Sequence, residues 1–319
     1  MQASRILIVG GSGFLGRHVV ARLSAQNRRV IVPTRRRERA RHLVLLPTVE
    51  VVQTAISTDQ ELDALVSRCD AVVNLVGLLH SRWGAPYGPD FAAAHVELPR
   101  RLAASCARTG VRRLVHVSAL GVRDDATALP SMYLRSKSDG ERAIRETPGV
   151  DWTIFRPSVV FGPEDQFLNM FAKLQRLFPV MPIARPDARF QPVYVGDVAQ
   201  AVVHALDDAA TVGKTYELAG PEVFTLEELV RLAGRWSGHP RPVVGLPYTL
   251  GQLQSSLLEY APGPTLMSRD NFDSMKVDNV ASGPIAPELG IVPTPLGAVA
   301  PLYLSRRGRL NEERSRAHR

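Results

Sequence analysis

Cysteine is nearly absent: the 319 residues contain two, Cys69 and Cys106. They are far apart and lie outside any CxxC or Cys/His spacing, which excludes a disulfide framework and a structural zinc site. Cys106 falls on a helical pattern beside Ala103 and Ala107 and reads as core filler, without the neighbourhood that lowers a thiol pKa. His80 and His116 flank strand ends with no partner at metal-ligand spacing, so no metal is expected. No uninterrupted apolar run approaches the ~20 residues of a membrane span. The run Ile6 to Val9 is too short for the apolar region of a signal peptide and passes at once into glycines. These absences predict a soluble, cytoplasmic protein without a transmembrane segment. Neither an internal repeat nor a low-complexity tract is present.

What is there is ordinary globular composition, 45% hydrophobic and 22% charged, which excludes global disorder. A chain of this length forms one large domain or two small ones and buries roughly 75% of its unfolded surface, with no need of staples. The net charge of +8 is local: residues 28–41 hold seven arginines and one glutamate, and residues 305–319 hold six arginines and two glutamates. No basic stretch is interleaved with aromatics, so specific nucleic-acid binding is not expected. The last segment, 305–319, reads as a basic, solvated tail.

Arg5 to Val9 is a short apolar run of the kind found in a buried parallel strand, and a helical pattern follows from Phe14 to about Ala25. Further strands are predicted at Arg29–Pro33, Val49–Val52, Ala71–Val76, Leu114–Val117 and Thr153–Phe155. Helices are predicted between them at Glu61–Arg68, Phe91–Arg108, interrupted or kinked near Pro99, and Ser136–Glu146. Strands alternating with helices on short connections predict an α/β fold, a Rossmann-type doubly wound parallel sheet. Beyond Arg156-Pro157 prolines become frequent and the alternation loosens. The expected division is therefore a dinucleotide-binding core, 1–156, and a smaller irregular C-terminal lobe, 157–304, with segments returning to the core. Phe167, Phe171, Leu174 and Phe178 stand at helical spacing, as core or pocket wall, and Asp197 is expected to cap a helix beginning at Val198.

The first βα turn carries the cofactor signal, Gly10-Gly11-Ser12-Gly13-Phe14-Leu15-Gly16. Gly10 permits the tight turn, Gly13 lets a pyrophosphate reach the backbone at the positive helix end, and Gly16 lets the helix pack close to the sheet. Phe14 and Leu15 belong to the same cofactor-binding segment. A site selecting NAD(H) carries an acid after the second strand to grip the ribose 2′-hydroxyl. Here the sequence is Pro33-Thr34-Arg35-Arg36-Arg37. A guanidinium suits a 2′-phosphate, so NADP(H) is preferred over NAD(H), with Arg35 and Arg36 as its ligands; the alternative is a basic solvated loop.

Tyr133 and Lys137 are an i,i+4 pair on one helix. Tyrosine ordinarily titrates near 10, and an adjacent ammonium stabilises its phenolate. Ser118 follows the fifth strand, where its hydroxyl can orient a substrate oxygen. With the glycine turn and Asn74-Leu75-Val76-Gly77, these residues resemble the extended or atypical short-chain dehydrogenase/reductases. The resemblance implies catalytic roles for Ser118, Tyr133 and Lys137. It also implies cofactor contacts at Val76, Gly77, Lys137, and Pro157 and Ser158 of Arg156-Pro157-Ser158. More narrowly, the chain from about residue 4 to 304 resembles the nucleotide-binding accessory subunit of respiratory complex I, alpha subcomplex subunit nine. That likeness rests on residues 161–169 (Phe-Gly-Pro-Glu-Asp-Gln-Phe-Leu-Asn), 193–199 (Val-Tyr-Val-Gly-Asp-Val-Ala), 216–221, Ser268-Arg269-Asp270 and Asp278-Asn279-Val280. Three positions depart from the resembled pattern: Gln53-Thr54-Ala55 in place of an adenine-contacting Asp, His95 in place of an active-site Asn, and Gln166 in place of Arg.

Two functional classes follow, with a third behind them. The first is an NADPH-dependent oxidoreductase acting on a carbonyl or quinone-like small molecule. The second, implied by the resemblance, is a non-catalytic NADPH-binding module that docks on a membrane-associated respiratory complex, peripheral to the inner membrane. The third is a sugar-nucleotide epimerase or dehydratase, whose expected NAD(H) preference the arginines oppose. Trp83 and Tyr87, in a Gly/Pro-rich loop after the fourth strand, serve either substrate contact or packing.

Overall fold

In the computed structural model, residues 3–260 and 265–305 are described. They divide into two units: the first holds the chain through Pro157, Val195–Leu218 and Ile285–Ile291; the second holds Ser158–Tyr194, Ala219–Pro284 and the segment from Val292. Residues 306–319, most of the basic tail, lie outside the described residues.

The first unit is built on seven strands: β1 Arg5–Val9, β2 Arg29–Thr34, β3 Val49–Gln53, β4 Ala71–Asn74, β5 Arg113–Val117, β6 Asp151–Pro157 and β7 Lys214–Leu218. They pair in the order β7-β6-β5-β4-β1-β2-β3, every neighbouring pair parallel. The strand order reverses between β1 and β4, which opens a crevice at their carboxyl ends. Unbroken apolar strands are what such a sheet requires, because helices cover both faces; Ile6, Leu7 and Ile8 are fully buried. On one face α2 (Asp59–Val66), α3 (Leu98–Thr109) and α4 (Met132–Arg145) bring Leu62, Leu102 and Ile144 into a core with Leu7, Val72 and Leu114. The helices α1 (Phe14–Ala25) and α5 (Val195–Asp207) pack on each other, and Val19, Val20, Val198 and Val202 are all buried. Both cysteines lie in the first of these cores, where burial pushes each thiol up to about 12.

Several boundaries differ from the sequence expectation for local reasons. The helix α4 begins four residues early, because Ser131 caps it, its hydroxyl accepting the Leu134 N–H at 3.2 Å. Strand β4 stops at Asn74, whose side-chain oxygen accepts the Val76 N–H and turns the chain. The interruption expected near Pro99 is present: regular α-helix begins at Leu98, and Pro99 stands in the first turn of α3, its ring and missing N–H disfavouring regular α-helical bonds to the turn before it. The distortion lies just ahead, a π-helical turn over Ala92–Glu97. Asp197 does not cap α5, which begins at Val195; it stands within the first turn, where a carboxylate favours the helix dipole.

The second unit has its own core, in which Phe161, Leu168 and Phe171 meet Leu229, Val230 and Leu296. Phe178 is 52% exposed and belongs to no core. Asp165 is buried and gathers the N–H groups of Gly162, Phe167 and Leu168, together with the Tyr303 hydroxyl at 2.6 Å. Asn279 accepts the Ser158 hydroxyl at 2.6 Å and the Val159 N–H at 2.9 Å.

Candidate functional site

The glycine turn sits at the carboxyl end of β1, facing the loop that leaves β4. Gly10 has φ +88°, and a Cβ there would lie 3.0 Å from the carbonyl carbon of Leu75; only glycine fits both the angle and the approach. A Cβ at Gly16 would lie 2.3 Å from the Gly10 carbonyl oxygen, so α1 rests directly on the turn. Gly13 is less confined, its ideal Cβ 3.2 Å from the same oxygen. Gly13 starts α1 without a side-chain cap, and no acid stands in the first turn, which contains Phe14 and Leu15. The N–H groups of such a terminus suit an anion.

At the end of β2, Thr34 is buried and its hydroxyl donates to the Arg36 carbonyl at 3.0 Å. This folds the chain so that Arg35 and Arg36 stand exposed. Among the described residues, no carboxylate pairs with either. The charge at this strand end is therefore available to an anion.

The chemistry-bearing residues lie on the face of the sheet covered by α3 and α4. Lys137 is buried, and its Nζ donates to the Val117 carbonyl at 3.2 Å and the Val76 carbonyl at 3.4 Å, beside Gly77. Burial lowers its pKa to about 8, with Glu141 one turn on pulling the other way. Tyr133, a turn before it, sets its ring edge-on to Phe91 at 5.9 Å and to His95 at 5.4 Å. Ser118 is held by its backbone, N–H to the Phe155 carbonyl at 2.7 Å, while its buried Oγ finds no hydrogen-bond partner among the described residues. The Pro157 carbonyl accepts the Leu120 N–H at 2.9 Å, and Ser158 opens the second unit, bonded to Asn279. Arg156 is engaged elsewhere: with Arg145 it grips Glu141, a carboxylate only 1% exposed.

Sequence reasoning passed over the groups that support these residues. Asn74 and His116, register partners on β4 and β5, join through Nδ2 and Nδ1 at 3.1 Å. His116 is buried and its pKa is driven well below the usual value, first by desolvation and then by Lys137. Their alignment depends on which strands are neighbours, which spacing along the chain does not show. Of the two loop aromatics, Trp83 is 76% exposed. Tyr87 is tied to Asp139 of α4, and its phenol is pushed up to about 12 by burial and then by that carboxylate. Among the described residues, no group of three His, Cys, Asp or Glu side chains could hold a metal ion, and no helix is long and apolar enough to cross a membrane.

Residues 6–219 match the NAD dependent epimerase/dehydratase family. The chain is 31% identical over 289 residues to NADH dehydrogenase (ubiquinone) 1 alpha subcomplex subunit 9, mitochondrial, of Arabidopsis thaliana, across 86% of this chain and 70% of the relative. It is 30% identical over 239 residues to a (4-alkanoyl-5-oxo-2,5-dihydrofuran-3-yl)methyl phosphate reductase of Streptomyces griseus, across 74% of each. The crystal structure of UDP-glucuronic acid 4-epimerase from Bacillus cereus, in complex with UDP-glucuronic acid and NAD, superposes with a TM-score of 0.64 at 18% identity, covering 85% of this chain and 99% of that one. That likeness shows the shared Rossmann-type fold. By the match over residues 6–219 and the identity to the subunit 9 proteins, the chain belongs to the NAD dependent epimerase/dehydratase family, the extended short-chain dehydrogenase/reductases, in a branch with the alpha subcomplex subunit 9 proteins.

Proposed function

We propose that the protein is an NADP(H)-preferring reductase of carbonyl compounds, quinone-like ones included. The observation that carries this reading is the buried Lys137 ammonium, held by the Val76 carbonyl just past β4 and the Val117 carbonyl of β5, one helical turn from Tyr133, with the buried Ser118 hydroxyl, unpaired among the described residues, just past the end of β5. The glycine turn would hold the pyrophosphate of the dinucleotide, Arg35 and Arg36 its 2′-phosphate, and Lys137 the nicotinamide ribose. Val76, Gly77, Pro157 and Ser158 complete the proposed set of contacts. The nicotinamide, when bound, supplies the hydride. Ser118 orients the substrate oxygen, and Tyr133 gives its phenolic proton to that oxygen as the carbonyl carbon is reduced. Lys137 stabilises the phenolate left behind. A Lys pKa of about 8 suits this role, since an ammonium destabilised by burial gains from a phenolate beside it.

The test is oxidation of NADPH by purified protein with a panel of aldehydes, ketones and quinones, followed by reduced-nicotinamide absorbance. Tyr133→Phe is expected to slow turnover by at least about 100-fold; equal rates in the two proteins would remove Tyr133 from the chemistry. Arg35→Ala combined with Arg36→Ala is expected to weaken NADPH roughly 10–100-fold, the worth of about one charge-assisted bond. NADH affinity should change less than about two-fold, and equal losses for both dinucleotides would refute the phosphate contact.

A second reading is favoured by the likeness to the Arabidopsis protein, an alpha subcomplex subunit of a mitochondrial NADH dehydrogenase (ubiquinone). In it the dinucleotide stabilises the fold by linkage and the protein docks on a membrane-associated respiratory complex, peripheral to its membrane. Tight NADPH binding without turnover on any of the panel, and co-sedimentation with membranes of the source cells, would select it.

A further inference from the structure

His95 is 1% exposed and locked from four sides. Its Nε2 accepts the Leu78 N–H at 2.9 Å, from the loop just past Gly77. The proton therefore sits on Nδ1, which donates to the Ser136 Oγ at 2.9 Å; that hydroxyl in turn donates a hydrogen bond to the Tyr133 carbonyl at 2.8 Å. The ring stacks on Phe91 at 5.1 Å and meets the Tyr133 ring edge-on at 5.4 Å. The backbone cannot retreat, because a Cβ on Gly140 of α4 would lie 1.9 Å from the His95 carbonyl oxygen. The π-turn at Ala92–Glu97 sets the residue in this place, and such turns recur at functional sites.

We propose that His95 is a positioning residue for Tyr133, a strut that couples the loop after β4 to the first turn of α4 and sets the phenol against Lys137. It rests on the reading of Tyr133 as proton donor. The groups facing it are Lys137 and Tyr133 from α4 and His116 from β5. Burial first, then Lys137 and His116, lower the His95 pKa to about 2, so the ring stays neutral, with its single proton on Nδ1.

The test uses the full chain with His95→Phe, which keeps a ring and loses both hydrogen bonds, and His95→Asn, which keeps an acceptor and a donor. Each is paired with its Tyr133→Phe counterpart in a phenolate difference titration with NADP+, a readout that needs no turnover. With the strut removed, the Tyr133 midpoint in His95→Phe is expected to rise toward its ordinary value by about one pH unit. Its kcat near neutral pH should fall about ten-fold while KM stays within about two-fold; His95→Asn should recover to within about three-fold of wild type. An unmoved midpoint in His95→Phe, or equal losses in Phe and Asn variants, would overturn the proposal. Should His95→Phe fail to fold, Ser136→Ala must show a smaller shift in the same direction, and a wild-type midpoint there overturns it. If Tyr133→Phe itself turns over normally, the functional reading has failed, and the titration still decides whether His95 positions the phenol.

Discussion

Gly16→Ala is expected to abolish dinucleotide binding and to destabilise the first unit, whereas Gly13→Val should abolish binding and leave the fold intact. An alanine ordinarily gains helix stability over glycine by about 1 kcal/mol. At Gly16 the added carbon would lie 2.3 Å from the Gly10 oxygen and 2.6 Å from the backbone of Gly11, so α1 must lift off the turn that positions its N-terminus. At Gly13 the nearest atom is 3.2 Å away; there the side chain intrudes on the space a pyrophosphate would use. Gly297, in the helix Leu296–Leu304, has nothing within 4 Å of its ideal Cβ and serves as the control, with Gly297→Ala neutral or slightly stabilising. Binding followed by nicotinamide fluorescence and unfolding followed by circular dichroism separate the cases. NADPH affinity retained by Gly16→Ala would mean that the turn holds no pyrophosphate.

Glu141→Ala is expected to have the largest effect on stability. Its carboxylate is 1% exposed and accepts from Arg156 through Nε at 2.9 Å and NH2 at 2.7 Å, and from Arg145 at 2.7 Å. Arg156 is itself largely buried, 14% exposed. Removing one member of a buried ion pair typically costs about 3–5 kcal/mol, because the remaining charge has lost its counter-ion and cannot regain water. For a chain of this size that is a fall of roughly 5–10 °C in the thermal midpoint. A shift under about 2 °C would show that water or Asp124, which also pairs with Arg145 at 2.6 Å, takes over the neutralisation.

The sequence expectations succeeded where a signal is carried by near neighbours. The strand Arg5–Val9, the turn and the helix Phe14–Ala25 lie where the apolar run and glycine spacing put them. The alternation of strands with helices sufficed for the parallel, doubly wound sheet. The errors are mostly at boundaries decided by single side chains: Ser131 advancing α4, Asn74 ending β4. Phe178 fits the helical spacing of its neighbours and is nevertheless exposed, because the helix ends at Leu177 and Phe178 itself is extended, off the helical face.

The candidate site divides the same way. That Tyr133 and Lys137 stand one turn apart on a helix, that glycines form the first βα turn, and that arginines and no acid follow β2 are properties of residues a few places apart. Local geometry determines them, and the sequence alone was enough. That Lys137 is buried between carbonyls 61 and 20 residues away, that Asn74 lies in register with His116, and that His95 joins Leu78 to Ser136 were decided by the tertiary structure. The physical reason is the strand order: β4 pairs with β1 on one side and β5 on the other, and only that arrangement sets these side chains and carbonyls together out of water.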